Sequence, residues 1–251
     1  MKVLAVIPAR YSSVRFPGKP LAQLKGKTMI QRVWERASQA VDDIVIATDD
    51  RSIYDEALRF GARAVMTSDS LQSGTERCAA AVRLLESDAD IVVNIQGDEP
   101  LIDPDDIRLV VNTLKDSDAH ISTLAHHFHP AEGYARLASP DRVKVVLNAR
   151  GEALLFSRSV IPFYRDAPTV DWPDAHQYLI HTGLYAFRRR TLEEIAGLHT
   201  SALDHAEHLE QLRWLYNGYR IRVAITHNDP LSVDTPADAD RVRAILKKED
   251  E

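Results

Sequence analysis

The sequence predicts an α/β protein whose mostly parallel sheet is covered by helices on both faces. Short apolar runs alternate with segments of helical period through the first half of the chain. These runs are apolar throughout, whereas a strand with one face in water alternates apolar and polar residues. Strands of this kind separated by helices indicate a three-layer arrangement. Its ligands are expected beyond the carboxyl ends of the strands.

The first half supplies four predicted strands and the helices between them. The predicted strands are residues 3–8, 44–48, 64–66 and 91–95. The predicted helices are residues 28–40, a segment through Ile53, Ala57 and Phe60, and residues 75–85. Each helix carries apolar side chains three or four positions apart, which is the spacing of one buried face.

The second half has a different pattern. Residues 143–147 and 153–156 flank a turn at 148–151 and are typical of a β-hairpin. Further predictions are a strand at 181–187, a helix at 206–216, a strand at 221–226, and a final helix at 236–248 with Thr235 as its N-cap. With no repeat or linker, we expect a single domain over 1–251 with an inserted hairpin region at about 130–185.

The composition excludes several classes of protein. The formal net charge of −6 argues against a general nucleic-acid-binding surface, which needs broad positive charge. Cys78 is the single cysteine, so no disulfide can form within the chain. No apolar run approaches the roughly 20 residues of a membrane helix. The first strand begins almost at the N-terminus, so we expect no signal peptide, no membrane association and a cytoplasmic location.

The loop after the first strand gathers positive charge. Arg10, Arg15 and Lys19 lie within a span of ten residues just after the strand, and Gly18 shapes the turn that carries Lys19. Guanidinium and ammonium groups at the carboxyl end of a strand suit a polyphosphate. The loop lacks the G-x-x-x-x-G-K-[ST] pattern of a P-loop. By composition alone, a solvent-exposed basic loop is an equal alternative.

Two aspartates lie at strand–helix junctions far apart in sequence. Asp98 follows the strand at 91–95 in N-I-Q-G-D-E-P, and Asp234 precedes the last helix in S-V-D-T-P. Mg²⁺ prefers a few carboxylate oxygens together with phosphate and water. The alternatives are a turn-forming role for Asp98 and helix capping for Asp234.

A polar segment precedes the helix at 75–85. Gln72, Ser73 and Gly74 offer amide, hydroxyl and main-chain groups that could read the hydrogen-bonding edge of a base. The alternative is that Thr75 caps the helix and Gly74 permits the turn.

These motifs together resemble the 3-deoxy-manno-octulosonate cytidylyltransferase family, the CMP-Kdo synthetases. The resemblance is carried in order by P-A-R-Y-S-S-V-R-F-P-G-K-P-L, Q-S-G-T-E-R, N-I-Q-G-D-E-P, L-F-S-R-S-V-I-P, H-T-G-L-Y, H-L-E-Q-L-R and V-D-T-P. The first motif also resembles other sugar nucleotidyltransferases, whereas the later ones are more specific. The resemblance implies a Rossmann-like nucleotidyltransferase fold.

The resemblance also implies the roles of individual residues. The implied catalytic residues are Arg10, Lys19, Asp98 and Asp234, of which Asp98 and Asp234 hold Mg²⁺. The implied CTP-binding residues are Pro8, Ala9, Arg10, Arg15, Lys19, Gln72, Ser73 and Gly74. The implied sugar-binding residues are Arg77, Gln96, Arg158, His181, Tyr185, Glu207, Glu210 and Gln211.

The implied reaction joins CTP to an acid sugar for lipopolysaccharide biosynthesis. The anomeric hydroxyl of 3-deoxy-manno-octulosonate (Kdo) attacks the α-phosphorus, and pyrophosphate leaves. Ile180 stands where many relatives have Lys or Arg, and Asp204 where Glu is common, so 8-amino-Kdo or another acid sugar is an alternative substrate. A catalytically inert nucleotide-binding regulator is a further alternative. The family implies a homodimer, to which Phe163, Tyr164 and Trp172 could contribute.

Overall fold

A nine-stranded mixed sheet organises the residues that the computed structural model describes, 1–12 and 15–249. With a separate two-stranded ribbon, β2–β3, the strands are β1 (Val3–Ala9), β2 (Gln23–Leu24), β3 (Lys27–Thr28), β4 (Ile44–Thr48), β5 (Arg63–Met66), β6 (Ile91–Asn94), β7 (Ile121–His127), β8 (Lys144–Leu147), β9 (Ala153–Ser157), β10 (Leu179–Arg188) and β11 (Ile221–Thr226). The helices are α1 (Met29–Ala37), α2 (Arg51–Arg59), α3 (Gly74–Leu84), α4 (Pro104–Lys115), α5 (Gly133–Leu137), α6 (Trp172–Ala175), α7 (Arg189–Ile195), α8 (Ala202–Glu207), α9 (Glu210–Tyr216) and α10 (Pro236–Glu249). None of these described helices has the length and apolar character that a membrane crossing requires.

The order of strands across the sheet is β11-β7-β10-β6-β1-β4-β5. The strands from β6 to β5 run parallel, and so do β7 and β11, whereas β10 is antiparallel to both of its neighbours. The β8–β9 hairpin joins the sheet through β10. Because β1 and β6 are parallel neighbours, the loops that follow them emerge at the same edge of the sheet.

Strand side chains alternate between two apolar layers. On β1, Leu4 and Val6 pack into one layer with side chains of α3 and α9, and Ala5 and Ile7 pack into the other with side chains of α1, α2 and α4. All four are fully buried. A strand buried on both faces has to be apolar throughout. The predicted three-layer, mostly parallel fold is therefore confirmed.

Most predicted elements are present with small differences at their ends. The largest difference in the first half is in α1, which ends at Ala37 and not at residue 40. The predicted hairpin is β8–β9, and the final helix begins at Pro236 as predicted. Thr235 Oγ1 accepts a hydrogen bond from the main-chain N–H of Asp238 at 3.3 Å, which confirms it as the cap.

The sequence-based prediction lacked α4 and β7, and also the shorter elements β2, β3, α5, α6 and α7. β7 lies inside the sheet, yet it buries the hydroxyls of Ser122 and Thr123. Ser122 Oγ donates to the carbonyl of Val110 at 2.7 Å, and Thr123 Oγ1 to that of Leu184 at 2.8 Å. The acceptor carbonyls lie on other elements, α4 and β10. The sequence alone shows the polar residues of β7 but not the partners that allow them to be buried.

The predicted helix at 206–216 is wrong, since two helices, α8 and α9, take its place. His208 lies between them in the left-handed region, with φ 49° and ψ 48°. The break frees the main-chain carbonyl of Glu207 to accept a hydrogen bond from Arg158 Nε at 2.6 Å. This hydrogen bond links the end of α8 to Arg158, the residue that follows β9.

The region at about 130–185 has its own apolar cluster. Trp172 and Ile180 are buried in it, at 4% and 3% exposure. Tyr164 packs against the cluster, whereas Phe163 is 75% exposed and stacks edge-on against Trp172. Ile180 is thus a core residue here, and the suggestion that it signals a changed sugar substituent loses its structural basis.

Candidate active site

A cavity of about 390 Å³ opens at the carboxyl ends of β1 and β6. It is lined by Pro8, Ala9, Arg10, Arg15, Lys19, Pro20, Leu71, Gln72, Ser73, Gly74, Arg77, Gln96, Gly97, Asp98 and Asp234. All of these except Pro20, Leu71 and Gly97 are residues that the sequence singled out. The cavity therefore unites the basic loop, both aspartates and the polar segment before α3.

Lys19 is the most constrained cation of the cavity. Gly18, at φ 69°, turns the chain into the short 3-10 turn Lys19–Leu21. Lys19 Nζ then lies 2.5 Å from Asp98 Oδ2 and 3.2 Å from Asp234 Oδ1, and it donates to the carbonyl of Val233 at 3.1 Å. A single ammonium thus joins the two aspartates.

The two arginines of the loop differ in their contacts. Arg15 Nη2 lies 2.9 Å from Asp234 Oδ2. Arg10 lines the cavity with an exposed side chain and forms no ion pair with a described residue. Within this loop, the guanidinium of Arg10 is therefore unpaired among the described residues, whereas Arg15 and Lys19 neutralise carboxylates.

Asp98 and Asp234 lie close together because a main-chain hydrogen bond links the two segments that carry them. The N–H of Val233 donates to the carbonyl of Asp98 at 2.8 Å. Hard carboxylate oxygens in such a pair suit Mg²⁺, which takes one or two protein carboxylates and completes its shell with phosphate and water. No group of three or more His, Cys, Asp or Glu that could enclose a metal exists among the described residues. The pair thus fits a metal that arrives with a phosphate better than a metal held by protein ligands alone.

Gly97 is a cavity residue that was not among the predicted site residues. A Cβ placed on it would come 2.8 Å from the main-chain oxygen of Pro8, closer than real contacts allow. The glycine therefore lets the loop after β6 approach the loop after β1. Its position beside Asp98 in N-I-Q-G-D-E-P was the available signal.

The segment before α3 caps that helix and also forms hydrogen bonds with Glu210 of α9. Ser73, and not Thr75, is the N-cap of α3, since its Oγ accepts from the N–H of Glu76 at 3.2 Å. Ser73 Oγ also donates to Glu210 Oε1 at 2.8 Å, and Thr75 Oγ1 donates to Glu210 Oε2 at 2.7 Å. Because Gln72, Ser73 and Gly74 line the cavity, this segment can contact a ligand while Ser73 caps the helix.

Arg77 is at the cavity wall but already has partners. Its side chain is 3% exposed, and Nη2 lies 2.8 Å from Asp49 Oδ2. Nη1 donates to Thr67 Oγ1 at 2.6 Å. Its charge is thus compensated by Asp49, a residue missed in the sequence although it follows a predicted strand.

The remaining predicted sugar-binding residues are outside the walls of this cavity, except Gln96. They are Arg158, His181, Tyr185, Glu207, Glu210 and Gln211. Gln96 connects the two groups, because its Nε2 donates to the carbonyl of Gly183 on β10 at 3.1 Å. Burial is the main cause of the raised pKa values of Tyr185 and Glu210.

His181 is held as a neutral imidazole. Its ring packs against Phe156 and Tyr185, with centroids 4.9 and 5.4 Å away. Burial lowers the pKa of His181 to about 3. Thr123 Oγ1 lies 3.0 Å from Nε2 of His181 and forms a hydrogen bond with it.

Comparison with known proteins identifies relatives over nearly the whole chain. Residues 4–221 match a family model described as Cytidylyltransferase. The 3-deoxy-manno-octulosonate cytidylyltransferase of Bacteroides thetaiotaomicron is 48% identical over 247 residues, which are 98% of this chain and 99% of that protein. The mitochondrial protein of the same name from Arabidopsis thaliana is 43% identical over 251 residues, covering 98% of this chain and 84% of that protein.

Solved structures agree with these matches. The structure of CMP:2-keto-3-deoxy-manno-octonic acid synthetase complexed with CTP has a TM-score of 0.90 to this chain at 41% identity, covering 99% of this chain and 100% of that one. A 4-diphosphocytidyl-2C-methyl-D-erythritol synthase from Anaerococcus prevotii shares the fold, with a TM-score of 0.61 at 14% identity, covering 98% of each chain. The chain belongs to the cytidylyltransferase family and, within it, to the 3-deoxy-manno-octulosonate cytidylyltransferases.

Proposed function

We propose that this protein transfers CMP from CTP to the anomeric hydroxyl of Kdo. The hydroxyl oxygen forms a bond to the α-phosphorus of CTP, the bond from that phosphorus to the bridging oxygen breaks, and pyrophosphate leaves. The hydroxyl proton passes to solvent, and no side chain is assigned as its acceptor. The observation that carries the proposal is the cavity that unites Arg10, Arg15 and Lys19 with Asp98 and Asp234.

The cations of the basic loop would bind the triphosphate. Arg10 has no ion pair with a described residue, and its guanidinium can take paired phosphate oxygens. Arg15 and Lys19 form ion pairs with the aspartates, and triphosphate oxygens would offer them further acceptors. Positive groups held in place stabilise the charge that develops on the pyrophosphate side.

Asp98 and Asp234 would hold Mg²⁺ in the cavity. When bound, the metal neutralises phosphate charge and lowers the pKa of the attacking hydroxyl. The protein's part is to keep the two carboxylates together, through the main-chain hydrogen bond between Val233 and Asp98. Gln72, Ser73 and Gly74 would receive the cytosine at the other wall of the cavity.

The sugar would bind between the cavity and β10. Gln96 lines the cavity and also contacts Gly183 of β10, so it lies where CTP and the sugar would meet. Arg158 supplies a cation for the sugar carboxylate. Neutral His181 would accept or donate a hydrogen bond without adding charge.

The protein is proposed to act as a single domain that forms a homodimer in the cytoplasm, where CTP is available. The outer edge of β9 supports the dimer, because Leu154 and Leu155 are 60% and 37% exposed on a strand that pairs along one side with β8. Exposed apolar edge strands tend to be covered by a second chain.

The proposal is tested by pyrophosphate release from CTP with Kdo, 8-amino-Kdo and N-acetylneuraminate in parallel, each with Mg²⁺. We expect the highest kcat/KM with Kdo and no release without a sugar. Faster turnover of one of the other sugars would reassign the substrate. Absence of release with all three would refute the transferase function.

A further inference from the structure

Lys144 is a buried cation that forms no ion pair with a carboxylate of the described residues. It begins β8, and its side chain is fully buried. Its Nζ donates to three main-chain carbonyls, those of Ser139 at 3.1 Å, Arg142 at 2.6 Å and Arg158 at 2.5 Å. An ammonium group has three donors, so all of them are used. Lysine is seldom fully buried, and such a residue often serves a site.

The three carbonyls belong to two segments that meet at Arg158. One segment is the turn at 139–142 after α5, and the other is the end of β9. Arg158 Nη1 donates to the carbonyl of Pro140 in that turn at 2.7 Å. The main-chain N–H of Arg158 donates to Glu207 Oε2 at 2.8 Å. Arg158 is therefore fixed at its carbonyl by Lys144, at its N–H by Glu207 and at its guanidinium by the turn.

The charge around Lys144 suits an anionic ligand. Its charged neighbours are Glu207 of α8, Arg158 after β9 and Arg142 of the turn, while β10 places the apolar Ile180 opposite Lys144. Arg142 is neutralised elsewhere, because it pairs with Glu132 and Asp229. Among these neighbours, Lys144 and Arg158 thus face one carboxylate, that of Glu207, which leaves an excess of positive charge.

We infer that Lys144 is a positioning residue that holds Arg158 for the carboxylate of the acid sugar. This inference rests on the proposed function. Lys144 acts through the carbonyl of Arg158 and does not itself touch the substrate. The charged form is required, because a neutral amine has two N–H donors and would lose one of its three carbonyls. Burial lowers the pKa of Lys144 to about 8, so this loss falls within an accessible pH range.

Steady-state kinetics of the Lys144→Met variant test the inference. Met keeps most of the length of the side chain but removes the donors. We expect KM for Kdo to rise about tenfold or more, with KM for CTP and kcat changed less than about threefold. The matched control is Lys115→Met, at an exposed position at the end of α4, for which neither KM should change. An unchanged KM for Kdo in Lys144→Met would overturn the inference.

The pH dependence of the wild type gives a second test, whose outcome for the wild type does not depend on the folding of a variant. Between pH 7 and pH 9 we expect KM for Kdo to rise at least about threefold while KM for CTP stays constant. In Lys144→Arg, whose charge persists at pH 9, the rise should disappear. A KM for Kdo that is flat over this range in an active wild type would overturn the role of Lys144 alone. A wild type without pyrophosphate release would instead overturn the proposed function, and the inference with it.

Discussion

Ser73 and Glu210 are joined by a hydrogen bond of 2.8 Å although 137 residues separate them in sequence. Ser73 lines the cavity proposed for CTP, and Glu210 begins α9 on the side proposed for the sugar. Glu210 also accepts from Thr75, so its carboxylate has both oxygens engaged with the start of α3. These hydrogen bonds therefore connect the proposed CTP subsite with the proposed sugar subsite.

A double-mutant cycle of Ser73→Ala and Glu210→Gln should show this connection. Ser73→Ala removes the N-cap of α3 as well as the bond to Glu210, and we expect it to cost about 1–2 kcal/mol of unfolding free energy. The two changes should couple by about 0.5–3 kcal/mol. Urea unfolding of the four proteins measures the coupling. Strict additivity would show that the bond contributes nothing.

The sequence allowed the fold to be predicted where apolar patterns are local. β4 and β11 agree with the prediction in their bounds. β4 is buried at every position and needs only apolar residues, whereas β11 lies at the edge of the sheet and is recognised by its β-branched residues around Arg222. β7 could not be recognised in the same way, since the partners of its buried hydroxyls lie on other elements. The break at His208 has no glycine or proline to signal it, and the hydrogen bond that accompanies it joins Glu207 to Arg158, 49 positions away in sequence.

The candidate site was predictable for a related reason. Arg10, Lys19 and Asp98 follow strands, and topology brings strand ends together at one edge. The sequence could not show that Lys19 would join Asp98 to Asp234, or that Arg77 would be neutralised by Asp49. Such contacts depend on which loops pack side by side.

Replacing Lys19 should weaken the binding of CTP more than that of the sugar. Lys19→Met removes a cation from the proposed triphosphate site, and a charge-assisted hydrogen bond contributes about 1.5–3 kcal/mol. We expect KM for CTP to rise roughly 10- to 100-fold. The control is Lys27→Met, which removes an ion pair with Glu35 on another part of the surface. Equal kinetics of the Lys19 variant and wild type would mean that the loop is only a surface feature.

The pKa of His181 predicts that acid destabilises the fold. Its folded-state pKa of about 3 is below the ordinary value near 6.5, so between these values the unfolded chain binds a proton that the folded protein does not. The free energy of unfolding should therefore fall as pH decreases through this window, by about 2 kcal/mol from His181 between pH 7 and pH 5.

Urea unfolding of wild type and His181→Gln at pH 7 and pH 5 isolates that contribution. For each protein, the change in unfolding free energy between the two pH values is compared. This is necessary because the substitution also removes ring packing against Phe156, which lowers stability at both pH values. We expect a smaller pH effect in the variant. An identical pH effect in both proteins would show that His181 titrates normally in the fold.

The exposed edge of β9 predicts a change of oligomeric state on substitution. Leu154→Lys adds a charge to the apolar edge, and we expect it to convert a dimer into a monomer with intact secondary structure. Sedimentation equilibrium measures the mass, and Leu84→Lys, also at an exposed leucine, is the control. A wild-type monomer, or a dimer that tolerates Leu154→Lys, would contradict the proposed interface.

Product formation by the aspartate variants tests the central claim most directly. CMP-Kdo and pyrophosphate are measured from CTP, Kdo and Mg²⁺ for wild type, Asp98→Asn, Asp234→Asn and the surface control Asp240→Asn. We predict equal molar amounts of both products from wild type and control, and rates at least about 100-fold lower in the other two at unchanged Tm. Near-wild-type rates in Asp98→Asn or Asp234→Asn would contradict the assignment of this cavity as the catalytic site.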